Sequence, residues 1–596
     1  MSERTPSLED LIKAARGQIP VDVLIKDVNY VNLFTGEIYR ASIGILGDRV
    51  AYVVSEKSQE LKAIEVFDGS ELYAVPGLID SHLHIESSMI IPSRFAEAVL
   101  PRGVTTVAID PHEIANVLGK RGVRYMLEGS AGLPLKVYVM VPTCVPSIPG
   151  QETAGAEISY KDVEEMLGWD RVIGLAEVMD FAGVINLDLR IIEIVKTGRR
   201  KNVVMDGHTF LRGMGLNAYI AAGMEADHEN LTFEEALEKL RLGMLIKLRA
   251  PYLLNVGEFV RGLKSLPNPL GYLFVTDDVL PDNLIRDGHL DNVIRNFIEA
   301  GLDPVDAVRA ATIYPAVHLR LYDRGVVTPG KLADIVLLNS LEKFKIKYVF
   351  ADGVLVARDG KLVVEIPQRP FPDEAKETVR IRGLREEDFK VKAPPNSKKS
   401  VKVRVIELSP PGPELEDGVR FLQSVVTKFS IEELEVRDGY VDPGDLAVIA
   451  VIERHGKAGN IAKGFVKNSG ITRGAVASTV SHDSHNLLVM GRDPGDMLAA
   501  ANHVISSQGG VAVAKNRKII ASVDLPVAGL MSEEPVQKVA EKFEAVRRAF
   551  REIGLIDHPY APPIFFLALP VIPAAKITDK GLFDVIAQKP VDLFVE

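Results

Sequence analysis

The chain holds a single cysteine, Cys144, among its 596 residues, so no disulfide can form within it. Cysteine usage of that kind fits a reducing compartment, and a cytoplasmic setting is expected. No apolar run approaches the roughly 18 residues that a membrane-spanning helix requires, which excludes the membrane as a partner on this reading. Basic residues are outnumbered, 70 Lys and Arg against 81 Asp and Glu, for a net charge of −11. With no dominant basic tract, nucleic acid is not the expected partner. The N-terminus carries Glu3, Arg4, Glu9, Asp10 and Lys13 around a short amphipathic stretch, unlike a signal peptide. A phosphate loop is also missing: GKAGNIAKG at 456–464 has the glycines and lysines but lacks the spacing that cradles a nucleotide triphosphate.

What the sequence does contain is a long α/β pattern between two β-rich segments. Its length suggests three or four domains by the usual size prior. Residues ~20–75 read as short strands punctuated by Gly36, Gly44, Gly47 and Gly69, and the same texture returns at 331–365. Two such segments can pair into one discontinuous β-sandwich. Between them, eight apolar runs end near His82/His84, Asp110, Val141, Glu177, His208, His228, Lys247 and Asp277. Helical patterns separate most of them, among them PSRFAEAVL, YKDVEEMLGW, LRIIEIVKTGRR, FEEALEKLRLG and HLDNVIRNFIEAG. Eight repeats in ~250 residues match a closed (β/α)8 barrel, whose active site lies at the C-terminal strand ends. A doubly wound open sheet fits less well, because no glycine-rich loop follows the first strand. The expected organisation is a first sandwich part at 1–75, the barrel at 76–328 and a second sandwich part at 329–366. A linker at 367–400 and a C-terminal α+β domain at 401–596 follow.

The stretch VPGLIDSHLHIESSM, 75–89, carries the first chemistry. Side chains alternate along a strand, so His82 and His84 face the same volume, and paired neutral imidazoles suit a divalent transition metal. Two polar residues in an exposed turn would be the plain alternative. Further ligand types recur at later strand ends: Glu177 in GLAEVMD, His208 in VVMDGHTF, His228 in MEADHEN, and Asp277 with Asp278 in LFVTDD. Each alone has an ordinary reading, a turn residue or a salt-bridge partner. Together, four histidines, a glutamate and an aspartate at one rim suffice for two divalent ions sharing a bridging carboxylate.

These motifs resemble the amidohydrolase superfamily: HLH after strand one, histidines after strands five and six, and aspartate after strand eight. PGKLADIVLL resembles the re-entry into that superfamily's flanking sandwich. Within it, PGLIDSHLHIESSM, DPHEIANVLG, GLAEVMD, DGHTFLRG and SHDSHN together resemble the adenine deaminase group, over nearly the whole chain. The resemblance implies hydrolysis of adenine to hypoxanthine and ammonia, in purine salvage. It implies that His82, His84 and Asp277 bind one ion and His208 and His228 the other, with Glu177 on both. Most binuclear members carry a carbamylated lysine where Glu177 stands, so no bound CO2 is implied here. Mn2+ or Fe2+ is implied, and Zn2+ also tolerates the donor set. Asp277, beside one ion, is placed to carry a proton from the attacking water to the leaving amine.

Substrate contacts are left more open. Adenine offers N1, N3 and N7 as acceptors and N6 as a donor, so its pocket wants both kinds of partner. Glu86, two residues past His84, shares that face if the strand stays extended. Asp278, His112 and Glu113 are the other candidates near the rim, Glu113 also for a catalytic role. Each has a plain reading as a loop residue. The segment 366–400 is proline- and charge-rich and reads as an exposed, partly extended crossing. Beyond it, LAVIAVIER, GAVASTVS and GVAVAKNRKIIASV read as strands. GDMLAAANHVISSQ and EPVQKVAEKFEAVRRAF read as helices. SHDSHN, 481–486, is either a hydrogen-bonded turn or a wall closing the barrel mouth, with His482 and His485 contacting the base. A cyclic-amide hydrolase of the dihydroorotase or hydantoinase type is the competing enzyme reading; it would carry lysine at position 177 and lack the C-terminal domain. A scaffold that had lost its chemistry would lack ligands, and all six are present. The assembly expected is a homo-oligomer, a dimer. Adenosine in place of adenine stays open.

Overall fold

The structure is a computed structural model that describes residues 5–55, 61–249, 255–267, 269–395, 397, 399–409 and 425–596. Eight parallel strands form the central sheet: Leu78–Leu83, Val104–Ile109, Lys136–Val141, Val172–Val178, Val204–Gly207, Ala226–Asp227, Leu245–Leu248 and Tyr272–Phe274. They pair in sequence order, each with its neighbour. The first and eighth meet through a parallel bridge between Leu83 and Asp277, where the Asp277 N–H donates to the His82 carbonyl at 3.1 Å. Closure of the barrel therefore happens at the rim where the ligand-type residues gather. The strands are buried on both faces, as βαβ crossovers require, which is why they read as apolar runs rather than as alternation. Ile79, Ala108, Met140, Ala176 and Val204 fill the interior, joined by Ala316 and Leu319 from the chain after the last strand. Above them Lys247 is wholly buried, donating to Asp206 at 2.5 Å and to the Ser81 carbonyl at 3.0 Å.

The two β-rich segments join, as their shared texture suggests. Tyr73–Pro76 pairs antiparallel with Ile335–Ser340, Val75 opposite Val336, inside one nine-stranded sheet. Ile25, Ile43 and Ile45 from the first segment and Ile335, Leu337 and Phe350 from the second share one core. The expected sandwich is thus built from a single sheet around a common core.

The segment after it differs from the exposed crossing expected. Phe371, Ala375, Phe389 and Val391 are buried. Phe389 and Val391 belong to the core of the C-terminal domain. Prolines and charges dominate its composition, yet these few apolar side chains decide where it lies, because burying each fully is worth about 1.5–3 kcal/mol.

The C-terminal domain is built on a ten-stranded sheet covered on both faces. In the strand Ala447–Ile452, Val448, Ala450 and Ile452 face the helix Pro494–Ser506. Ala447, Ile449 and Val451 face the opposite side, in the core shared with the helix Val536–Ile553 and the barrel. Period-two alternation with both faces apolar explains the continuous run AVIAVI. A three-stranded sheet, Ala575–Thr578, Gly581–Asp584 and Lys589–Val591, follows near the chain end.

Candidate metal centre and active site

All six expected ligand residues converge at the barrel rim. His82 is the penultimate residue of the first strand and His84 follows the strand end, their rings 5.1 Å apart and edge to face. The His84 Nδ1 is fixed by the Asp110 carbonyl at 2.9 Å, which aims Nε2 at Asp277 Oδ1, 3.2 Å away, and at Glu177 Oε1, 3.6 Å away. His82 Nε2 lies 3.5 Å from the same Asp277 oxygen. Asp277 has φ 61°, a left-handed backbone uncommon for a non-glycine residue, at the turn that presents its carboxylate to the barrel mouth.

Glu177 divides its two oxygens between two sets of nitrogens. Oε1 faces His84, and Oε2 lies 2.7 Å from His208 Nδ1 and 3.2 Å from His228 Nε2. Those two imidazole nitrogens are themselves 3.2 Å apart. One N–H donating to the other ring's lone pair satisfies that contact, and a cation shared with the carboxylate would satisfy it equally. Supporting contacts hold these ligands. The Tyr219 hydroxyl donates to the Val178 carbonyl at 2.6 Å and accepts the His208 N–H at 3.1 Å. Asp227, behind His228, accepts the Thr209 N–H at 2.7 Å and pairs with buried Lys239 at 2.5 Å.

The donor set fits divalent cations. Groups within reach of a shared ion include His82, His228 and Asp277; Glu177, His208 and His228; and His84, Asp110, His112 and Glu177. Among the described residues, the buried His82 Nε2 has no hydrogen-bond partner. Burial pushes that imidazole down to about 3, with His228 adding to the effect, so it stands neutral with a lone pair to give. Burial opposes ionisation of Glu177 and Asp277, yet the imidazoles around Glu177, and His82, His84 and Arg249 around Asp277, hold both well below the usual carboxylate range.

Outside the ligands, a cavity of about 580 Å³ opens over the rim. His112, Glu113, Asp278 and His482, the residues expected near the base, line it. Glu113 lies in the first turn of the helix His112–Leu118 after the second strand, and SHDSHN reaches it from the C-terminal domain. The His482 Nδ1 lies 2.6 Å from Glu113 Oε1, and His485 Nε2 bonds the other oxygen. The ring of His482 stacks on Phe566, with centroids 4.9 Å apart and planes 3° from parallel. The segment is therefore a wall of the barrel mouth.

Two expected contacts are corrected. Glu86 does not share the face of His84, because the chain tightens into a 3₁₀ turn at Ile85–Ser88 instead of staying extended. Its carboxylate accepts the Ile114 N–H at 3.2 Å and does not line the cavity. His485 is also set back from the cavity, buried behind Glu113. Its Nε2–H goes to Glu113, so its role is to hold that carboxylate.

Other residues at the site escaped the sequence reading. Arg249, just past the seventh strand, pairs bidentately with Glu229 at 2.9 and 3.0 Å and donates to Asp277 Oδ2 at 2.7 Å. The signal for it was available, since the seventh strand was the one late strand given no rim residue. Glu229 adjoins His228. Tyr560 and Phe566 come from the far end of the chain, where no spacing marks them.

Comparison with known proteins agrees with this geometry. Residues 73–356 match the family model described as amidohydrolase family, and 424–589 match the adenine deaminase C-terminal domain. An adenine deaminase from Kosmotoga olearia is 40% identical over 98% of this chain and 99% of its own. One from Archaeoglobus fulgidus is 40% identical over the full length of both. Among solved structures, a β-aspartyl dipeptidase from Fervidobacterium islandicum covers 58% of this chain and 98% of its own at 17% identity and TM-score 0.42, and no functional reading rests on that likeness. With rim residues, C-terminal wall and full-length relatives in agreement, the chain belongs to the adenine deaminase family of the amidohydrolases.

Proposed function

We propose that this protein hydrolyses adenine to hypoxanthine and ammonia at a centre holding two divalent cations. The observation that carries this reading is the position of Glu177, whose two oxygens face His84 on one side and the His208/His228 pair on the other. On this reading His82, His84 and Asp277 would hold one ion and His208 and His228 the second, with Glu177 serving both. When bound, such ions supply Lewis-acid activation of the attacking water at neutral pH. Mn2+ and Fe2+ are the ions proposed, and Zn2+ suits the same donors.

The chain's own groups then handle protons and orientation. Attack at C6 forms the C6–O bond and frees a proton, which Asp277 accepts. Asp277 returns it to the amine; the electron pair that the attack displaced from C6=N1 onto N1 re-forms that bond as C6–N breaks, so ammonia leaves, and the remaining hydroxyl proton shifts to N1 to give the lactam of hypoxanthine. His82, His84 and Arg249 keep Asp277 ionised until it takes that proton, and the Arg249 bond fixes its direction. Glu113, braced by His482 and His485, and Asp278, bonded by the Ser87 hydroxyl, are the groups proposed to orient the base. Glu177 in place of a lysine removes the competing cyclic-amide hydrolase reading's carbamate bridge. The enzyme is proposed to act as a cytoplasmic homodimer feeding hypoxanthine to purine salvage; among the described residues no helix is long and apolar enough to cross a membrane.

The test is turnover of adenine by the purified, metal-reconstituted protein, following adenine absorbance and ammonia release together. Equimolar hypoxanthine and ammonia are expected. Absence of both, with two metals bound, would overturn the activity.

A further inference from the structure

Buried lysines in this chain are of two kinds. Lys239 and Lys247 each pair with an aspartate at 2.5 Å, Asp227 and Asp206 respectively. Lys576, in the strand Ala575–Thr578, is equally inaccessible. Among the described residues its Nζ meets main-chain oxygens alone, donating to the Val425 carbonyl at 2.7 Å and the Phe566 carbonyl at 3.0 Å. Burial draws the amine down to about 7 from an ordinary 10.5, and no charged group among the described residues offsets this. An amine buried without a counter-charge costs stability, and a methionine would fill much the same space. Core packing therefore does not account for a lysine here. The two carbonyls that it joins do.

Val425 and Phe566 belong to separate stretches of the chain, and both line the cavity. Phe566 ends the 3₁₀ turn Pro563–Phe566, and its ring is the surface on which His482 stacks. The His482 N–H donates to the neighbouring Phe565 carbonyl at 2.9 Å, so ring and backbone of His482 both rest on this turn. From there His482 Nδ1 reaches Glu113 Oε1 at 2.6 Å. The strand of Lys576 holds both stretches on either side of the amine. The Ala575 N–H donates to the Thr427 hydroxyl at 3.1 Å, and the Ile577 N–H donates to the Leu567 carbonyl at 3.2 Å. Lys576 thus stands where three stretches of the cavity wall cross, without lining the cavity itself.

We propose that Lys576 is a positioning residue for substrate binding: by tying the Val425 and Phe566 carbonyls together it fixes the Phe566 ring, and through that ring it holds His482 against Glu113. This rests on the reading above in which Glu113 orients the base. It gives the C-terminal domain a part in substrate affinity that is separate from the metal centre, because nothing in this chain of contacts touches a proposed metal ligand.

The test is a double-mutant cycle on the metal-loaded, full-length protein with Lys576→Met and Phe566→Leu. Lys576→Met should raise KM for adenine by roughly 3–10-fold, the worth of one aromatic stack, with kcat and metal content nearly unchanged. Phe566→Leu should do the same, and the double variant should be no worse than Phe566→Leu alone, because both changes remove one linkage. Lys576→Gln keeps two N–H donors on a shorter, neutral side chain and should recover part of the loss. Should Lys576→Met not fold, Lys576→Gln carries the same cycle. A second readout is the His482 imidazole, followed by NMR of histidine-labelled protein and assigned by its absence in His482→Gln. Its titration near 9 in wild type should move toward 6.5 in Lys576→Met and in Phe566→Leu. Additive losses in the cycle, an unchanged KM, or a His482 titration that stays where it is in wild type would overturn the proposal. Failure of wild type to turn over adenine would count against the activity reading instead, and the His482 titration would still decide whether Lys576 acts through Phe566.

Discussion

Replacing Glu113 by Gln removes the charge that joins barrel to C-terminal domain while keeping its shape and one acceptor oxygen. Burial alone pushes the His482 imidazole down, but Glu113, with Asp278 and Asp483 adding to it, raises it to about 9 from an ordinary 6.5. A histidine whose folded value lies above its unfolded one contributes stability that is complete below pH 6.5 and lost as pH rises through 9. At 1.36 kcal/mol per unit, that difference is worth roughly 3 kcal/mol at pH 6, about 2 kcal/mol at pH 7.5 and almost nothing at pH 10. Both side chains are nearly inaccessible to water, at 3% and 9% exposure, so solvent screens the pair little. The assay is chemical denaturation of wild type and Glu113→Gln across this pH range, read at the C-terminal domain. Glu113→Gln should be the less stable protein at pH 6, with the gap closing toward pH 10. A gap that stays constant with pH would show that the pair is not charged and would refute the reasoning.

Four further outcomes follow from the rim. Asp277→Asn keeps one oxygen ligand but cannot take a proton, so metal content should fall only partly while kcat falls by about 10²–10⁴-fold; Asp278→Asn should raise KM more than it lowers kcat. Steady-state kinetics with metal analysis separates the two, and near-wild-type kcat in Asp277→Asn with both ions bound would assign the relay elsewhere, to His112 or Glu113 first. Glu177→Gln should lose most of its metal and nearly all activity with the fold intact by circular dichroism, and bicarbonate should restore nothing. Arg249→Lys gives up the paired bonds to Glu229, and kcat should drop by at least roughly tenfold because Asp277 loses its fixed direction; unchanged kcat would leave Arg249 a purely structural role.

The barrel and the residues that gather at its rim were legible because each carries a local signal. A strand alternates with period two, so HLH announces two imidazoles on one face, and eight apolar runs spaced by helical patterns announce closure. Glu86 shows where that logic stops. The same alternation placed it beside His84, but the strand ends at Leu83 and the chain turns at Ile85–Ser88. Nothing in ESSM marks that turn as strongly as a proline or glycine would. Composition misled at 366–400, where a few buried apolar side chains outweigh many exposed charges. Arg249 has a positional signal in the otherwise empty rim of the seventh strand, but its pairing with Glu229 and Asp277 is set by tertiary packing, as is the placing of Tyr560 at the cavity, and neither follows from spacing along the chain. His485 lay inside a motif that was noticed, yet only the packing of Glu113 between two imidazoles shows which histidine faces the cavity.

The central claim is that two ions, bridged by Glu177, carry adenine deamination. Metal-free protein, titrated with Mn2+ under exclusion of oxygen and other metals, should gain adenine deaminase activity up to two equivalents per chain and then level off. A plateau at one equivalent, or full activity in the metal-free protein, would contradict it.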